Sequence, residues 1–525
     1  MKPTSCNPQS SSGCGCHCAM SRRRFLSTCA AGAAGAAALA AWPTTSPAAD
    51  AARKVKVRLV FSHPTSETIT WPNVGFDYDR RGKQLTEALT NLCPAIEFLP
   101  VHAVTGEDAQ KVIAADAEVD GYLVCVLGLK GMAQPIQNAA CEKGRPMIVV
   151  DDPYGGWLAM GFNAKAAKAG WKAVALHTSR VEDLAAVART FAVLGQSGAT
   201  ADTFLAAARV AYKKIIAPQG DLACAADAVG PCDVGKCVER LRTSAMIVVG
   251  KPMGNFSAAI QQEFGVRVVP IDHKDLHEAF LKADPAQAVA WADRWTKAAE
   301  KTIEPSREDL VKSGAMHVGM EALLKQHHAQ AITVNCLGGF YTGALQAFPC
   351  LGFTELSNGP LVGACEADVA STVTMMAVGS LIGRPGFISD PVMDLSKNRI
   401  IYAHCVAPTK VFGPSGAACP FHLRNHSEDR KGAAVRSLMP LGYMTTSVKF
   451  LPGAKTLLMH QAKTVENVDE DKACRTKLAA EVKGDIEKLF SGWTNGWHRV
   501  TFYGDVRAPI EDLCKALNIK VVQEA

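Results

Sequence analysis

The sequence predicts an α/β protein in which two doubly wound α/β domains are followed by a mixed C-terminal domain with an antiparallel β-barrel-like part. Three observations carry this. Strand and helix patterns alternate from Lys54 to Val150, the signature of a parallel sheet covered by helices. The alternation resumes at Trp171 with Ala-rich helices. After Asp390-Pro391 it gives way to short strands separated by Gly and Pro, as in barrels and sandwiches. A chain of 525 residues with 48% hydrophobic side chains has apolar material for two or three cores, which we place at 51–165, 166–330 and 331–525.

In the first domain, Lys54 to Phe61 alternates and then turns fully apolar, as a strand entering a buried parallel sheet does. His63-Pro64 opens a loop, and Trp71-Pro72 leads to a helix carrying Leu85, Leu89 and Leu92. Ile96 to Leu99, Gly121 to Leu127 and Pro146 to Val150 read as further strands, with helices between them. Asp151-Asp152-Pro153 follows at a strand's carboxyl end, where it reads equally well as a ligand site of an open sheet or as a turn. In the second domain, Ser244 to Val249 and Val266 to Ile271 are strands, and helices run from Asp275 to about His328. Ala331 to Cys336 is a strand that opens the third. Beyond Asp390, strands are expected at Ile400–His404, Tyr443–Phe450, Thr456–Met459 and Trp497–Phe502.

Arg22-Arg23-Arg24-Phe25-Leu26 precedes a soft Ala/Gly-rich run from Ala30 to Ala41, which resembles a twin-arginine export signal. The run is too short and too small-residue-rich for a membrane span, so residues 1–50 are read as a removable leader, the mature protein as periplasmic, and stable membrane insertion as absent. A net charge of +6 over this length, with no basic run past the leader, argues against a nucleic-acid partner. Five of the 18 cysteines precede residue 50, and the cluster Cys14, Cys16, His17 and Cys18 leaves with them. Among the rest, Cys224, Cys232 and Cys237 share one loop region, and their spacing suits a disulfide better than a zinc site.

The chemistry centres on Gly359 to Met376. Glu366 and Asp368 follow a Gly-rich apolar approach and open a segment of helical spacing, where the helix dipole and free N–H groups stabilise carboxylates. Such carboxylates are hard-metal ligands, general bases or simply first-turn charges. Together with Cys365, Asp390-Pro391, His404-Cys405, His426 and Glu428, Cys474-Arg475, and Asn495 to His498, this stretch resembles the L-fucose and L-arabinose isomerase family over about 330–510.

The resemblance implies a three-domain sugar enzyme holding Mn²⁺ with two acids and a distal histidine, and moving a proton between C1 and C2 of a sugar through an enediol. It implies Glu366 as the downstream acid and a metal ligand, His498 as the distal ligand, Asp368 as a further catalytic carboxylate, and His426, Glu428, Asn495 and Trp71 as sugar contacts. The partner is a small-molecule sugar, and a homo-oligomer is expected. An acid about two dozen residues before Glu366 is missing, because Asn335 and Cys336 stand there and Glu355 is too close in sequence. Cys336 is then either a catalytic or ligating thiol, which would favour Zn²⁺ or Fe²⁺, or a small buried side chain. Weak isomerase activity, or carbohydrate binding without catalysis, follows from the missing acid. His404 reads as a hydrogen-bonded core residue, and His327-His328 as solvated.

Overall fold

The computed structural model describes residues 53–525. The arginine motif and the leader cysteines lie outside the described residues. The chain builds two parallel sheets and a closed antiparallel barrel, in agreement with the class predicted above.

The first sheet has five parallel strands, β1 (Val55–Ser62), β2 (Ile96–Ala103), β3 (Gly121–Val126), β4 (Met147–Asp151) and β5 (Ala173–Leu176), in the order β2-β1-β3-β4-β5. Strands β3, β4 and β5 are buried along their whole length. This is why their sequences are near-continuous apolar runs rather than alternating. Full burial of each such side chain contributes about 1.5–3 kcal/mol. The chain leaves β1 for β2 on one side and returns to β3 on the other, so a crevice opens beyond the carboxyl ends of β1 and β3, where sheets of this order bind ligands.

The second sheet joins β6 (Ala245–Val249) and β7 (Arg267–Ile271) to β9 (Ala331–Val334) and β10 (Val362–Cys365), in the order β10-β9-β6-β7. The strand that follows residue 330, β9, thus lies inside this sheet, between β10 and β6. A short strand, β8 (Lys301–Thr302), pairs instead with β13 (Phe421–Arg424), which pairs with β14 (Ala434–Ser437). The helix Val369–Ile382 leaves β10 with twelve of its fourteen residues buried, so it is apolar on every face and lies between the second sheet and the barrel.

The barrel runs β15 (Met444–Leu451), β18 (Arg499–Tyr503), β11 (Phe387–Asp394), β12 (Arg399–His404), β17 (Thr476–Lys483) and β16 (Thr456–Asn467), and the β15–β16 pairing closes it. Closure removes the free edges that an open antiparallel sheet would expose. A last strand, β19 (Lys520–Gln523), adds parallel to β16. No disulfide joins Cys224, Cys232 and Cys237. Cys224 is exposed, whereas the buried Cys237 thiol is engaged with the Ala377 carbonyl at 3.3 Å. Pairing would require pulling Cys237 from that core contact.

Candidate metal centre

At the β10 end the chain must turn sharply to enter the helix that starts at Val369. Glu366 and Ala367 make this turn in the left-handed region, with φ of 63° and 52°. Two successive non-glycine residues there cost on the order of 1–3 kcal/mol each, strain that structures tolerate at functional sites. The turn is held by Ala367 N–H donating to Val334 O and by Ala367 O accepting from Met253 N–H, both at 2.9 Å. Its effect is to aim Glu366 at the barrel while Asp368 turns inward.

Asp368 caps the helix, accepting from Ser371 N–H at 2.9 Å and Ser371 Oγ at 2.6 Å. It also accepts from Lys449 Nζ and from His498 Nδ1, both at 3.0 Å, and is 1% exposed. Although burial opposes ionisation, Lys449, His498 and Ser371 hold this carboxyl well below the usual range. Asp368 does not line a cavity. It fixes the tautomer of the neutral His498 ring: Nδ1 keeps its proton, and Nε2 is the nitrogen that can offer a lone pair.

That nitrogen lies 3.5 Å from Glu366 Oε2 and 3.4 Å from Asp390 Oδ1, and is buried without a hydrogen-bond partner. Glu366, Asp390, His404 and His498 each offer an atom within 4.8 Å of the others, so the cluster could hold a metal ion. Burial pushes the Asp390 carboxyl well above its usual range, and the negative charges of Glu366 and Glu428 add to this against the pull of His498. Burial alone would lower His498, but Asp390, Asp368 and Glu366 outweigh it and raise it to about 9, so without a cation Nε2 also carries a proton, whose place a bound cation would take. Buried carboxylates facing an orphaned imidazole nitrogen fit a hard divalent cation, which would offset their repulsion.

The two histidines differ. His404 Nδ1 accepts from Cys405 N–H at 2.9 Å, and burial with the nearby His498 and His426 keeps this ring neutral. Its proton therefore sits on Nε2, which is buried, unpartnered and 3.8 Å from Glu366 Oε1. His404 is accordingly a donor beside the cluster, and Glu366, Asp390 and His498 supply the free lone pairs.

Two expectations change here. The acid that the structure brings beside Glu366 is Asp390, the first residue of Asp390-Pro391, which lies after Glu366 in the chain rather than before it. His404 belongs to the site rather than to the general core. Cys336 stays outside the cluster, 2% exposed, with its sulfur 3.2 Å from that of Cys365. Glu355 accepts from Trp295 Nε1 at 3.1 Å and is likewise not part of the cluster.

Glu366 and Asp390 open into a cavity of about 900 Å³ between the first sheet, the second sheet and the barrel. Trp71, Trp157 and Trp497 form an aromatic wall, with centroids 4.9 and 5.0 Å apart. Trp157 Nε1 donates to the Pro391 carbonyl at 2.9 Å, which ties the first domain to the backbone beside Asp390. Asn495 and Glu428 also line the cavity. Burial pushes Glu428 up to about 7, Glu366 adding and His426 opposing. His426 itself is buried behind the lining and bonded to Asp429 at 2.9 Å; burial opposes protonation, yet Asp429 and Cys405 raise it to about 10. Trp157, Trp497 and Asp390 are not among the site residues read from sequence; Trp497 and Asp390 lie within stretches that carry the resemblance, whereas Trp157 lies just past the turn after β4.

Fold and site together define a protein that brings two parallel α/β sheets and a closed barrel around a metal-capable acid–imidazole cluster. No protein-family model matches the chain. Over 275 residues it is 25% identical to proteins named sulfoquinovose isomerase from Priestia aryabhattai and Priestia megaterium, covering 50% of this chain and 60% of each relative. A protein of the same name from Alkalicoccus urumqiensis is 23% identical over 158 residues, 29% of this chain and 35% of the relative. The match thus spans about three fifths of the longer-matching relatives. Among the described residues no helix is long and apolar enough to cross a membrane.

Proposed function

We propose that the protein is a metal-dependent aldose–ketose isomerase acting on a sugar or sugar derivative. The observation that carries this is the convergence of Glu366, Asp390 and the orphaned Nε2 of His498 on one point at the wall of a sugar-sized aromatic cavity. The similarity to sulfoquinovose isomerases supports the same reaction class, and makes sulfoquinovose the first substrate to try. Mn²⁺ suits the oxygen-rich donor set.

A divalent cation held by Glu366, Asp390 and His498 would supply Lewis-acid polarisation of the substrate's oxygens. The chain's own groups do the rest. Trp71, Trp157 and Trp497 present faces for the C–H side of a sugar ring or chain. His404 Nε2–H donates toward a sugar oxygen at the cluster. One carboxylate takes the proton from C2 of the aldose, giving an enediol, and returns a proton to C1, while the second moves a proton between O2 and O1. Asp390, which faces Glu366 across the cluster, is placed to be that second carboxylate. The expectation of weak catalysis rested on a missing acid, and Asp390 provides one.

The test is proton exchange at C2 in D₂O with Mn²⁺-loaded native protein, Glu366→Gln and Asp390→Asn. Exchange by the native protein should fall about 10²–10⁴-fold in either variant. Equal exchange in all three would remove the assignment.

A further inference from the structure

The cavity that holds the acid cluster has a second polar feature, on the wall built by the first sheet. Among its lining residues Lys130 is the sole lysine or arginine, against three carboxylates, Glu366, Asp390 and Glu428. Lys130 lies in the loop between β3 and the helix Ala133–Glu142, at the β1/β3 crevice. Its Nζ stands 4.9 Å over the Tyr341 ring and 3.4 Å from the Ile69 carbonyl, which steers the ammonium while leaving donors free. Tyr341 in turn is fixed by its hydroxyl donating to the same carbonyl at 3.1 Å.

Two further groups meet at this loop. The ten-residue helix Ala133–Glu142 begins at Met132, which gives no side-chain cap, and Gly131, Ala133 and Gln134 line the cavity at that end. Independently, Ser62 at the end of β1 also lines the cavity, is fully buried, and has a hydroxyl with no hydrogen-bond partner. A Cβ on Gly131 would collide with that hydroxyl and with the His63 backbone, so the absence of a side chain at Gly131 keeps the Ser62 hydroxyl beside the helix N-terminus. An orphaned buried hydroxyl, an uncapped helix start and the cavity's one ammonium are the donors an oxyanion needs.

We infer that Ser62, Lys130 and the helix start at Gly131–Gln134 form an anion site, and that the preferred substrates are aldoses carrying a sulfonate, phosphate or carboxylate on a carbon remote from C1 and C2. The remoteness follows from charge: the reacting end must meet Glu366 and Asp390, and an anion there would be repelled. Turnover by such sugars rests on the isomerase reading above, whereas their binding does not.

The experiment compares D-glucose, its C6 phosphate and its C6 sulfonate with native, Lys130→Met and Lys130→Arg proteins. Two readouts are taken: kcat/KM, and binding followed by the fluorescence of the cavity tryptophans. The ratio of kcat/KM for an anionic over the neutral sugar should drop about 10- to 100-fold in Lys130→Met, mostly through KM, and recover in part in Lys130→Arg. An unchanged ratio overturns the anion site. If no sugar is turned over, the isomerase reading fails by itself, and binding decides. Weaker binding of the phosphate or sulfonate to Lys130→Met than to native retains the site, while equal or absent binding overturns it. The phosphate and the sulfonate distinguish the anion: the one whose ratio moves more is the one the site is built for.

Discussion

At the scale of single residues, function depends on which nitrogen of each buried histidine is spoken for. Asp368 accepts a hydrogen bond from Nδ1–H of His498 and leaves Nε2 to face a ligand, while Cys405 N–H occupies Nδ1 of His404 and leaves its Nε2 a donor. The two rings, 5.6 Å apart, should therefore respond differently to the same substitution. His498→Gln is expected to lose most bound Mn²⁺, and His404→Gln to keep it while isomerisation slows. Elemental analysis after gel filtration, alongside turnover, separates the two. Equal metal loss in both would show that His404 is a ligand and that its tautomer is wrong.

At the scale of elements, the barrel is locked to β19 by a carboxylate. Glu524 follows that strand and accepts from Arg499 at 2.6 Å and from His460 Nδ1 at 3.1 Å, with all three side chains buried. Burial would raise its pKa, but Arg499 and His460 overcome this and hold it at about 2. A carboxyl depressed in the folded state is stabilising above its unfolded pKa of about 4.5, and the contribution is lost as pH falls through about 2. The gap corresponds to about 3 kcal/mol, to order of magnitude. Glu524→Gln should lower the thermal midpoint at neutral pH, and the difference from native should shrink between about pH 4.5 and 2. A difference that stays constant across that window would mean the ion pair contributes nothing specific.

At the scale of the whole molecule, the site draws on all three layers, so occupancy should be felt by the entire fold. A ligand at a hundred times its Kd adds about 2.7 kcal/mol to the folded state. Chelation of Mn²⁺-loaded protein should accordingly lower the unfolding midpoint, and Mn²⁺ should restore it. No change in Glu366→Gln serves as the control, and an equal shift in that variant would place the metal elsewhere. We also propose export through the twin-arginine route, from Arg22-Arg23-Arg24-Phe25-Leu26. Replacing the three arginines by Lys should leave precursor in the cytoplasm, and normal export would remove the proposal.

The local hydrophobic pattern carried the fold class and the long strands of the first two sheets, because buried parallel strands write their burial into it, but β5, β10, β11, β13, β14 and β17, short or broken by polar residues, were not legible there. The sequence by itself also marked Glu366, Glu428 and His498, whose neighbours form recognisable short stretches. Only the tertiary structure decided which acid faces which. Glu366 and Asp368 are two residues apart, yet the left-handed turn at Glu366 and Ala367 sends one carboxylate to the cavity and the other to a buried lysine. Asp390 sits across a strand pairing from Ala403, next to His404, a proximity set by barrel register and invisible to a search along the chain in one direction. The same holds for Ser62 and Lys130: their meeting depends on parallel strands β1 and β3 ending side by side, and pairing of distant strands leaves no mark at either residue alone.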